Sequence, residues 1–131
     1  MINLKLNNMG LDLIANFSVI QKVDINDEKT LFEMFMSDDE EILLSFKHTR
    51  DRVIFTSKKI IAYDVKGLTG TKKEFRFFPY NKISSFSVET AGTFDMDSDL
   101  KIWVSGVGVF GIKFGTKINI KEIGVLLASK L

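Results

Sequence analysis

Gly106-Val107-Gly108-Val109-Phe110-Gly111 spells G-x-G-x-x-G, a spacing that lets backbone approach a pyrophosphate when it follows a parallel strand and opens a helix. Residues 110–114 instead continue in strand-like alternation, and residues 128–131 offer no acid for a ribose. A hairpin turn is the chemistry-free reading that fits. Asp95, Asp97 and Asp99 alternate like the start of a calcium loop, but Leu100 and Gly106 stand where that loop needs Gly and Glu. They read as a polar loop entering a strand, and no metal is assigned. His48 is the single histidine and cysteine is absent, which excludes thiolate catalysis and zinc–sulfur sites. With no clustered acid–base pair either, the chain is read as no enzyme and no cofactor is expected.

Basic residues offer a different chemistry. Lys47, Arg50 and Arg52 fall within six positions, and Lys72 and Lys73 follow a glycine-marked loop, with Lys66 before it. Arginine suits bidentate contact with phosphate. Asp51 sets a carboxylate inside the first group, and the turn there is short. A solvated, charged hairpin end that blunts a sheet edge accounts for the same residues.

The elements that would carry these groups follow from periodicity. From Ile42 the pattern is strand-like, with runs at 42–48, 52–56, 59–65, 73–78, 83–89, 99–105 and 109–115, separated by short turns. Pro79 closes the fourth run. Asn119 and Glu122 have capping-box spacing, and Ile120, Ile123 and Leu127 form one stripe of a final helix. Before the strands, Asp24 or Asn26 can cap a helix whose Leu31, Met34 and Phe35 share a face, and Leu11 to Phe17 suggests a short helix. The acidic run 38–41 reads as a solvated connector. The expected layout is a mainly β (α+β) sandwich or barrel, with residues 1–23 as an extension and 24–131 as one domain with a leading helix.

This order resembles a pleckstrin-homology (PH) domain: a curved antiparallel seven-stranded sandwich capped by a C-terminal helix. The resemblance to a bacterial PH-like family is carried by Phe55 to Lys59, Gly67 to Lys73, Pro79-Tyr80-Asn81-Lys82-Ile83, Phe86 to Gly92 and Leu100-Lys101-Ile102-Trp103. In PH domains that bind phosphoinositides, a Lys on the first strand and an Arg-x-Arg pair on the second converge on phosphates. The resemblance implies that role for Lys47, Arg50 and Arg52, with Lys72 and Lys73 on the rim. It also implies self-assembly, including rings.

Several strands are apolar on both faces: Ile61, Tyr63 and Val65 oppose Ile60 and Ala62, and Phe75 and Phe77 oppose Phe78. A sheet with one wet face alternates more cleanly, so something must cover the second face. The segment carrying Leu31 and Phe35 is one candidate. A second copy of the chain is another, with Trp103, Tyr63 and Phe78 as interface residues. The expected function is a self-associating binding or scaffold module, with an unknown protein partner or an anionic membrane surface as further partners. Basic residues number 18 and acidic 17, which gives no field for nucleic acid. No signal peptide or long apolar run is visible, so a cytoplasmic location is expected.

Overall fold

The computed structural model describes residues 13–67, 69–90 and 97–131. In chain order the elements are β1 (Leu13–Val19), β2 (Gln21–Val23), α1 (Lys29–Glu33), β3 (Ile42–His48), β4 (Asp51–Thr56), β5 (Lys59–Lys66), β6 (Lys72–Pro79), a 3-10 turn (Tyr80–Lys82), β7 (Ile83–Glu89), β8 (Ser98–Val104), β9 (Gly108–Phe114) and α2 (Ile120–Lys130). The seven expected strands are β3 to β9, each within a residue of its expected bounds. The chain divides into a unit of Val19–Tyr80 and a second unit that contains Asn81–Leu131.

The Val19–Tyr80 unit is a five-stranded sheet in the order β2-β3-β4-β5-β6. Its paired strands are antiparallel throughout. Register lines up Gln21, Lys47, Arg52, Tyr63 and Phe75 across the strands. Cross-strand partners share a face, so this row puts two cations beside two aromatic rings. Ile54 and Ile61 lie on the same face, and Phe32, Leu31 and Met36 from the α1 region pack with them. Phe32 meets Tyr63 and Phe75 edge-on at ring distances of 6.0 and 6.1 Å, and Phe35 lies 4.7 Å from Phe75 and 5.0 Å from Phe77. The cover for the doubly apolar strands is therefore the chain's own α1 segment. On the sheet's other face Phe46, Val53, Phe55, Ile60, Ala62 and Phe78 are all buried.

The α1 segment differs from expectation in detail. The helix is five residues long, Phe32 is its buried residue, and Met34 is exposed. Asp24 caps a preceding turn by accepting from the Asn26 N–H at 2.8 Å. The acidic run that follows is not wholly solvated. The Glu40 carboxylate is buried, accepts from the Thr56 hydroxyl and the Ser37 N–H, and pairs with Lys59 Nζ at 3.0 Å. Lys59 Nζ also donates to the Phe35 carbonyl at 2.6 Å. These contacts tie the chain just after α1 to the turn between β4 and β5.

The other unit has the strand order β1-β9-β8-β7. In place of a short helix, residues Leu13–Val19 form β1; Leu11 and Asp12 of that expected helix lie outside the described residues. Ala15, Phe17 and Val19 alternate with Asn16 and Ser18, which is the period of a strand. The first 23 residues thus supply two strands. Of the G-x-G-x-x-G residues, Gly106 and Val107 lie in the hairpin turn between β8 and β9 and the other four open β9, with Gly106 at φ 75° and the Val107 N–H donating to the Val104 carbonyl. Asn119 caps α2 by accepting from the Lys121 N–H, and Ile120, Ile123 and Leu127 are its buried stripe.

Candidate functional site: a cavity at the β3–β4 hairpin

His48 pairs with Asp51, so only Thr49 and Arg50 span the hairpin. Thr49 has φ 55°. A β-branched residue in this left-handed region is strained by about 1–3 kcal/mol. Asp51, the carboxylate among the cations, turns to the backbone: its Oδ1 accepts from the Val65 N–H at 3.0 Å. Arg50 reaches across to the β5–β6 loop, where Nη2 donates to the Gly67 carbonyl at 3.2 Å. Its Nη1 lies 2.7 Å from where a Cβ on Gly70 would stand. Gly70, at φ 69°, thereby lets the guanidinium pass.

Below this bridge Arg52 projects from β4. Its side chain is only 9% exposed, and Nη2 lies 3.0 Å from Asp27 Oδ2. That contact is a meeting of charges, because Oδ2 accepts no directed hydrogen bond among the described residues. Nε and Nη1 of Arg52 are buried and likewise find no acceptor there. An enclosed guanidinium with two idle donors is costly, since a buried charge needs both pairing and hydrogen bonds.

Arg52 lines a cavity of about 450 Å³, within the roughly 300–1,000 Å³ range of small-molecule sites. Arg50 and Lys73 are the other cations of its wall, and Leu31, Tyr63 and Val65 give it an apolar side. Thr49, Gly70 and Glu28 complete much of the rim. Glu28, just before α1, has φ 58°. Glu28 and Thr49 are the two non-glycine residues with positive φ among the described residues, and both line this cavity. Strained backbone of this kind clusters at ligand sites.

Of the five cations singled out in the sequence, the structure brings Arg50, Arg52 and Lys73 together. Lys47 stands opposite Arg52 in register but is not part of the wall. Lys72 is exposed beside Lys66 at the start of β6, also outside it. Of the residues expected at an interface, Tyr63 is a cavity wall, 6% exposed and held by Phe32 and Phe75. Phe78 is buried on the sheet's other face, and Trp103 is half-buried on β8 beside Val109. Sequence reasoning missed Asp27, Glu28 and Thr49. Asp27 lies just ahead of α1, and one sequence carries no signal that pairs it with Arg52. Among the described residues no cluster of His, Cys, Asp or Glu could hold a metal; Asp95 lies outside them, and Asp99 pairs with Lys113 at 3.2 Å.

The family model for the bacterial PH domain matches residues 8–131. The chain belongs to the bacterial PH-domain family. This PH domain is 44% identical over 119 residues to the uncharacterised protein YjqA of Bacillus subtilis (strain 168), covering 89% of the chain and 93% of YjqA. The uncharacterised protein YozO of the same organism is 30% identical over 115 residues, covering 88% and 96%. A DUF1696-family protein with a pleckstrin-homology domain from Shewanella loihica PV-4 superposes with a TM-score of 0.75 at 34% identity, over 82% of this chain and 93% of that one. The PH-like fold is thereby shown, and the match begins ahead of residue 24, within the expected extension. No helix among the described residues is long and apolar enough to cross a membrane.

Proposed function

We propose that this PH domain is a non-enzymatic, cytoplasmic binding module whose working site is the hairpin cavity, and that the cavity takes an anionic group. The observation that carries this reading is Arg52: nine-tenths buried, lining the cavity, with Nε and Nη1 lacking acceptors. Nε and Nη1 are enclosed, so an anion reaches them as the Arg52 side chain turns toward the cavity and then supplies the missing acceptors; hydrogen bonds to charged groups contribute about 1.5–3 kcal/mol each. Arg50 and Lys73 add charge at the same opening. Calorimetric titration of the purified chain with inorganic phosphate and with hexanoate tests the reading. Binding of at least one should weaken by about tenfold or more in Arg52→Met. Equal binding by wild type and variant would overturn it.

A second reading is self-association as a scaffold, in a ring or with another protein. What favours it is β6, an outer strand of its sheet whose Phe77 is partly exposed beside Phe35. Strand-edge pairing uses backbone hydrogen bonds and asks for no special side chains. Light scattering at micromolar concentration separates the cases: a mass well above 14.9 kDa supports self-association, and a strict monomer contradicts it.

A further inference from the structure

The strand β6 ends its sheet, and the register tells which of its backbone groups face outward. The Tyr80 N–H donates to the Lys58 carbonyl at 3.1 Å. Bonded and non-bonded pairs alternate along an antiparallel ladder. Ile60 with Phe78, Ala62 with Arg76 and Asp64 with Glu74 are therefore the bonded pairs; Ile61 with Phe77, Tyr63 with Phe75 and Val65 with Lys73 are not. The Val65 N–H agrees with this phase, because it turns the other way, to Asp51 Oδ1. The N–H and carbonyl groups of Lys73, Phe75 and Phe77 thus point off the edge, and they meet no backbone partner among the described residues. Natural edges are blunted by bulges, prolines or shortness. β6 is eight residues long, pairs with β5 without a register shift, and has its proline only at the end, Pro79. Along the edge the Phe75 and Phe77 rings stack 6.4 Å apart at 9°, and Phe77 is partly exposed.

Resting on the self-association reading above, we propose that two copies of the chain join β6 to β6, antiparallel, about a two-fold axis at Phe75. Phe75 then faces Phe75 across the axis and Lys73 faces Phe77, and each of these pairs exchanges the outward N–H and carbonyl groups. The stacked rings of both copies fall on one face and form a continuous row. On the other face each Glu74 falls opposite an Arg76. The two already share that face within the strand, with Arg76 Nε 3.3 Å from Glu74 Oε2. Charge selects this register over its neighbours. An axis at Arg76 sets Arg76 against Arg76, and one at Glu74 sets Glu74 against Glu74 and Lys72 against Arg76. Like charges directly opposite are destabilising. An axis at Phe77 puts Phe75 against Pro79, which has no N–H to give. Glu74 also keeps Lys66 Nζ at 3.1 Å, so the pair across the axis sets the register while backbone bonds and rings hold the two copies.

The chain has no cysteine, so introduced thiols report the pairing cleanly. Lys73→Cys and Phe77→Cys are purified separately, mixed and oxidised. Across the axis these positions are bonded partners about 5.5 Å apart at Cα, within disulfide reach. In either variant alone the two thiols stand roughly 13 Å apart along the strands. The mixture should give a crosslinked pair at several-fold the yield of either variant alone, and wild type should scatter light at twice 14.9 kDa. Arg76→Glu and Glu74→Lys should each weaken association by about tenfold, and mixing the two should restore it, because every opposed pair is then complementary. A strict monomer at micromolar concentration overturns this proposal and self-association with it. A larger mass, association without the mixed crosslink, or charge variants that associate like wild type overturn the two-fold β6 pairing and leave self-association standing.

Discussion

Thr49 and Arg52 are both poor choices for stability at their positions, for different reasons. Thr49 is a β-branched residue at φ 55° in a two-residue turn, where glycine is at ease. Thr49→Gly should raise unfolding free energy by about 1 kcal/mol in urea titration; a loss of stability would show that its hydroxyl or methyl makes up for the strain. Arg52 is a buried charge with two of its three donor nitrogens idle, and the Asp27 Oδ2 that meets it is itself buried without a hydrogen bond. Replacing both members of such a pair with apolar side chains is often neutral or stabilising, whereas removing one leaves the other charge unpaired. The double variant Arg52→Met with Asp27→Leu should therefore change stability by less than about 1 kcal/mol while weakening binding by about tenfold or more, whereas a pair kept for structure would show a loss of roughly 3–5 kcal/mol.

Glu40 is the contrasting case, a buried acid whose role is structural. Burial opposes its ionisation, but hydrogen bonds from Thr56, Ser37 and Lys59, with the Lys59 charge, outweigh that and hold its pKa below the ordinary 4.5. A carboxyl depressed in the folded state adds stability that is fully present above its unfolded value. That stability is lost as pH falls below about 4.5 and through the folded pKa. Acid unfolding of wild type should thus carry a component that Glu40→Gln lacks, seen as a flatter dependence of the urea midpoint on pH below 4.5. Parallel pH profiles would contradict this account of Glu40.

At the scale of elements, α1 has too few residues to be stable alone. It persists because Phe32 is wholly buried against Ile54, Ile61 and Tyr63 and because Glu40 anchors the chain beyond it. Phe32→Ala should cost about 3–5 kcal/mol, the usual range for a buried ring. It should also loosen Tyr63 and so weaken anion binding beyond what lost stability explains. A cost under about 1 kcal/mol would mean that α1 does not secure this face. The strands were legible because alternation and turn residues mark them directly: Ile42 to His48 and Ile83 to Glu89 read the same in sequence and structure. The α1 face was misread because five residues give too short a window for a 3.6-residue period, so Met34 looked inward and Phe32 was passed over. The β1 strand was hidden for the same reason: its alternation begins only at Ala15, after Leu13-Ile14.

For the molecule, membership of the bacterial PH-domain family accounts for the two sheets and the final helix, and relatives such as YjqA share nearly the full length. The site was half legible. Arg50, Arg52 and Lys73 stood out by type and spacing, because cations near turns are visible in a sequence. Asp27, Glu28 and Thr49 were not, since their importance lies in backbone angle and in contacts made across the fold. The doubly apolar strands called for a cover, from the segment carrying Leu31 and Phe35 or from a second copy of the chain, and the α1 segment supplies it within the Val19–Tyr80 unit. Self-association, if it is seen, must therefore use other surfaces, such as the outer strand β6.

The central claim is that the idle donors of Arg52 are waiting for an anion. Nuclear magnetic resonance of the Arg52 Nε–H during titration with hexanoate tests it most directly. The account predicts that this resonance shifts progressively and saturates together with the ring signals of Tyr63, while the Lys72 side chain stays put. An Arg52 Nε–H that does not move while the ligand demonstrably binds elsewhere would contradict it.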